Sequence, residues 1–223
     1  MRPQLENKAA NIVLRGQFNP AIFHPIWFAT QNLIRSQEAE SADIKIIHEN
    51  LAVFSVEWLQ VNITQDRFIV STSQEAYYEV LRDLVVGTFT VLNHTPLRVM
   101  GINQEFHYAL ESEKAWHRVG DCLAPKQAWI DVLDTPGMKS LTIQGAKSNE
   151  LPGYINVKVE PSSRIKFGIY VDINDHYEFQ PAVGKIQATE EAIDILNNRW
   201  QESLQYGQEI AQKIASIGDS DTW

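Results

Sequence analysis

Leu59-Gln60-Val61-Asn62-Ile63-Thr64-Gln65-Asp66-Arg67-Phe68-Ile69-Val70 decides how this chain is read. Apolar and polar residues alternate up to Thr64, the pattern breaks at Gln65-Asp66, and alternation resumes behind Arg67. Period two places Leu59, Val61 and Ile63 on one face and Gln60 and Asn62 on the other. That is the pattern of an antiparallel hairpin with one buried and one wet side. It returns in Ile155-Asn156-Val157-Lys158-Val159-Glu160, followed by a polar turn and a second strand led by Arg164.

Working outward, the elements around the two hairpins match in order. Asn11–Phe18 and Leu97–Phe106 each predict a strand containing a glycine, Gly16 or Gly101, placed there for close packing or a bulge. A helix is predicted within Ala21–Ile34, starting near Phe23 or His24 with Pro25 in its first turn. Ser112–Leu123 is its counterpart, and Trp27 and Trp116 occupy the two helices. Gln37–Ser41 reads as a polar connector. Asp43–Val70 supplies three or four strands, with a β-bulge near Glu57-Trp58 where alternation slips.

Ser73 is placed to cap an amphipathic helix over Gln74–Leu92, whose stripe is Tyr77, Val80, Leu81, Leu84, Thr88 and Val91. Thr189 is placed to cap a last helix with the stripe Ile193, Leu196, Trp200, Leu204, Gly207, Ile210 and Ile214. Gln180–Ala188 reads as an insertion without a counterpart. The fold expected is α+β: a pseudo-duplicated strand–helix–(three or four strands)–helix unit, run over 11–92 and again over 97–216. It would build an antiparallel curved sheet with helices on one face. Residues 1–96 and 97–223 form the two halves of one domain.

A duplicated unit of this order resembles the TATA-box-binding-protein-like fold. The chain is acidic and has no recognisable phenylalanine pairs to wedge a minor groove, so the resemblance implies topology and not DNA binding. Trp58-Leu59-Gln60-Val61, Thr64-Gln65-Asp66-Arg67-Phe68 and Gly101-Ile102-Asn103 loosely resemble a sporadically distributed bacterial family of unassigned chemistry. The arginine-rich strand start of that family is missing here. This second resemblance implies an accessory bacterial protein, from a defence or toxin–antitoxin operon.

Six Trp, seven Tyr and nine Phe in 223 residues mark a chain able to build a core. A net charge of −9 weighs against non-specific nucleic-acid binding. The lone Cys122 allows no internal disulfide, and no apolar run is long enough to span a bilayer. A cytoplasmic protein is expected.

No motif names a reaction: there is no phosphate-cradling glycine loop and no zinc-type histidine pair. Asp172, Asp175, His176 and Glu178 are the densest set of metal-type side chains, read foremost as a polar loop and otherwise as a hydrolase-like site. His107 and His117 near Cys122 suggest a Cys–His pair, with a structural thiol as the favoured reading. The wet hairpin face is the better lead. Asn62, Arg67, Lys158, Arg164, Lys166 and Tyr170 are the candidate binding residues on it, and Trp58 and Trp223 are candidate aromatic anchors. The leading expectation is a non-enzymatic protein-interaction module without metal or cofactor. The alternative is a nucleic-acid or small-ligand binder using a cationic sheet face.

Overall fold

The computed structural model describes residues 3–147, 152–179 and 188–219. Nine strands form one antiparallel sheet: β1 (Gln4–Gly16), β2 (Asp43–His48), β3 (Leu51–Ser55), β4 (Gln60–Thr64), β5 (Arg67–Thr72), β6 (Leu97–Ala109), β7 (Leu141–Ala146), β8 (Gly153–Pro161) and β9 (Gly168–Glu178). Their spatial order is β2-β3-β4-β5-β1-β6-β9-β8-β7. The order reads alike outward from the centre. In each half the first strand is central, the last strand pairs with it, and the hairpin's other strand lies next. The halves meet where β1 pairs with β6 along almost its full length.

Alternation settles which side is buried. Ile12 and Leu14 of β1, Val61 and Ile63 of β4, Phe68 and Val70 of β5, and Val171 and Ile173 of β9 lie on one face and are all buried. Two long helices cover that face: α3 (Tyr78–Val91) and α5 (Ala188–Ala215). Trp200 of α5 is 1% exposed and donates its indole N–H to Glu79 Oε1 of α3 at 3.0 Å. One apolar cluster fills the first half and the middle, and a second joins β8, β9, α4 (Glu113–Leu123) and the end of α5.

Several elements differ from the sequence reading. The helix expected within Ala21–Ile34 starts as foreseen, with His24 as cap and Pro25 in the first turn, but α1 ends at Thr30. Asn32 takes a positive φ of 59°, and the supposed connector then forms a short helix, α2 (Ser36–Glu40), in which Glu38 accepts from the Arg35 N–H at 2.7 Å. Glu57-Trp58 is not a bulge. It is a reversal closed by Val56 N–H to the Leu59 carbonyl (2.9 Å) and Leu59 N–H to the Val56 carbonyl (3.2 Å), so β3 and β4 form a hairpin of their own.

Ser73 does not cap α3. A turn of 3-10 helix (Glu75–Tyr77) precedes it, and Thr72 Oγ1 accepts from the Gln74 N–H. Thr189 lies inside the first turn of α5, where its hydroxyl donates to the Asn93 carbonyl. Arg164, Lys166 and Phe167 belong to the β8–β9 turn and not to a strand, since β9 starts at Gly168. Conversely β9 runs on to Glu178 through the stretch expected to be loop. Most of the Gln180–Ala188 insertion and Trp223 lie outside the described residues.

Candidate functional site

The face opposite α3 and α5 is open, and one row of polar side chains crosses it. Cross-strand register aligns Asp43, Ser55, Gln60, Ser71, Asn11, Asn103, Asn174, Asn156 and Gln144, one residue from each strand. Asn11 and Asn103 face each other near the middle of the β1–β6 ladder. Asn103 Nδ2 donates to Asn11 Oδ1 at 2.6 Å, and Asn174 Nδ2 donates to Asn103 Oδ1. Three amides thus form a chain of hydrogen bonds where the halves join. Gly101, on the same face two residues before Asn103, makes the room. A Cβ there would stand 2.7 Å from Asn174 Nδ2.

Charged and aromatic groups flank this row. On one side Glu105, Asp172, Lys158 and Thr142 align, and beyond them His107, Tyr170 and Glu160. Burial raises the Asp172 carboxyl from 3.8 to about 6; Lys158 opposes the rise, and Glu105 and Glu160 reinforce it. His107 is buried, holds Ser162 Oγ through Nδ1 at 2.9 Å and packs on Tyr170 with ring centres 4.8 Å apart. Burial lowers its pKa, with the Arg164 charge adding to the effect. On the other side of the row Tyr154 stacks on His176 at 4.2 Å, and Asn62, Ile69 and Val13 align. A cavity of about 490 Å³ opens between the row and the Glu105/His107 flank, lined by Asn11, Gln60, Ser71, Glu105, His107 and Arg164 among others.

The candidate residues are distributed unevenly. Asn62, Arg67, Lys158 and Tyr170 all stand on the open face, and Arg164 reaches the cavity from the β8–β9 turn. Lys166 stays in that turn with its ammonium over the Phe167 ring. Trp58 is 4% exposed, donates to Glu38 Oε1 at 2.9 Å and stacks on Tyr77. An indole buried under α2 is no free anchor. The face carries both signs of charge and not a uniform cationic one: Arg15 and Arg67 stand opposite each other on β1 and β5. Lys158 lies 3.5 Å from Glu160 and opposite Asp172, while Glu105 and Glu178 add further negative charge. Cross-strand pairing has set a carboxylate beside the cation.

The Asp172–Glu178 set is divided by the strand it lies in. Asp172 and His176 point to the open face, whereas Asp175 is buried on the helical side. There Asp175 meets Lys147 Nζ at 2.7 Å and accepts from the Tyr177 hydroxyl at 2.7 Å. Among the described residues no three metal-type side chains converge. His107 is engaged by Ser162, and His117 faces Glu113 at 3.9 Å, so neither is given over to Cys122.

Asn11, Asn103, Asn174 and Glu105 were not singled out from sequence, and His107 was singled out only as a partner for Cys122. Their signal was present only as polar residues at alternate positions of apolar strands. No protein-family model matches this chain, and no curated protein does so either. No helix among the described residues is long and apolar enough to cross a membrane.

Proposed function

We propose that this chain is a non-enzymatic protein-interaction module that holds its partner on the open face of the sheet, in an accessory bacterial system. The row of polar side chains across the sheet, amides without a break from β1 to β7 through Asn11, Asn103, Asn174, Asn156 and Gln144, carries this reading. Amide side chains offer a donor and an acceptor each, the pair that peptide groups and polar side chains of another protein require. Charges of both signs beside the row suit a polypeptide surface better than the uniform negative charge of a nucleic-acid backbone. The aromatic pairs Tyr154/His176 and His107/Tyr170 supply rigid area at little entropic cost.

The test is capture from an extract of the source cells with immobilised wild type, Asn62→Arg, Asn156→Arg and, on the helical side, Gln208→Arg. The expected result is loss of one protein in the two open-face variants and its retention in Gln208→Arg and across a salt titration. Equal capture by all four chains, or a nucleic acid released steeply with salt, would overturn the proposal.

A further inference from the structure

The two margins of the sheet are built differently. At one, β2 covers the outer edge of β3. At the other, β7 is the strand that takes the place of β3 in the mirrored order, and among the described residues nothing covers it. Among the described residues the second half therefore has no counterpart of β2. An uncovered edge strand offers a row of unpaired N–H and C=O groups, and proteins ordinarily guard such an edge with charge, proline or a bulge.

The exposed outer margin of β2 has these guards. It carries Asp43, Lys45 and His48, Asp43 and Lys45 are ion-paired at 2.6 Å, and its register shifts between Ile44 and Ile46. The sequence of β7, Leu141-Thr142-Ile143-Gln144-Gly145-Ala146, has no charge and no proline, and its pairing with β8 runs without a shift. Ile143 points to the helical side yet is 57% exposed.

We infer that β7 pairs antiparallel with β7 of a second copy of this chain. Three features of the strand select a second copy as the occupant. Antiparallel pairing of one strand with itself is two-fold and closes, so it consumes both unguarded edges and gives a dimer, not a filament. With Ile143 opposite its own copy, apolar side chains meet on the helical side, and Thr142 faces Gln144 on the open side. The strand has no charge, so the pairing brings no like charges together, which matters in a chain of net charge −9. Among the described residues, the margins left free in the resulting sheet are the two guarded β2 strands. The inference stands apart from the proposed partner on the open face.

Sedimentation of the purified 223-residue chain over a range of concentrations tests it, alongside Ile143→Lys and the matching margin variant Ile44→Lys. Wild type and Ile44→Lys are expected at twice the chain mass of 25.4 kDa, and Ile143→Lys at the single mass with an unchanged circular dichroism spectrum. Amide exchange in 141–146 is expected to be slow in wild type and to become fast in Ile143→Lys. A wild type of single mass at every concentration overturns the inference. So does a dimer that survives Ile143→Lys, or one lost in Ile44→Lys alone.

Discussion

Asp172→Asn is the perturbation that reads the open face most quantitatively. Asp172 lies between Glu105 and Lys158 in register, and burial is the chief cause of its titration at about 6 in place of 3.8. A carboxyl held this way binds its proton more tightly folded than unfolded. Its contribution to stability is full below about pH 4 and is lost as pH rises through about 6. At about 1.4 kcal/mol per pH unit the ceiling is roughly 3 kcal/mol, which partial contact with solvent reduces to roughly 1–2 kcal/mol. An asparagine has the shape of the neutral acid and no charge to bury. The variant should therefore match wild type near about pH 4 and exceed it by roughly 1–2 kcal/mol above about pH 7. Urea melts of both proteins over a pH series give the difference directly. A difference flat with pH, or a variant weaker than wild type at high pH, would refute the account of this carboxyl.

Two other substitutions test the frame and the amide chain. Trp200→Ala should cost roughly 3–5 kcal/mol, because it empties the site of a buried indole and removes its bond to Glu79; coincident denaturant melts would show that α5 does not pack on the core. Gly101→Ala should cost roughly 1–2 kcal/mol, since the new methyl meets the Asn174 amide at 2.7 Å and pushes it off Asn103. In an ordinary strand the same change would stabilise, so a neutral or positive effect on melting would contradict the crowding.

What the sequence disclosed and what it hid have physical causes. The β4–β5 hairpin was legible because Leu59, Val61 and Ile63 alternate with polar residues and only one face of that hairpin is covered. The end of β9 was not, because Asn174-Asp175-His176 has the composition of a turn. Pairing with β6 on one side and β8 on the other overrides that local preference. α2 is five residues long and polar, and only the Glu38 bond to the Arg35 N–H and the Trp58 indole above it distinguish it from a connector. The α3 stripe was found in part: Leu81, Leu84 and Thr88 are buried, but Val80 and Val91 are exposed and Tyr78, Val85 and Phe89 are buried instead, while Leu196, Trp200 and Gly207 of the α5 stripe are buried. The site shows the same limit. Asn62, Lys158 and Tyr170 follow from alternation within one hairpin, but the row through Asn11, Asn103 and Asn174 exists only once register joins strands far apart in the chain.

The central claim is that the open face is the binding face. Placing a photo-crosslinking side chain at Asn156, in the amide row, and separately at Gln208 on α5, then irradiating in the source cells, tests it most directly. One protein is expected to be joined through position 156 and nothing specific through position 208. A specific crosslink from position 208 alone, or nucleic acid joined at position 156, would contradict it.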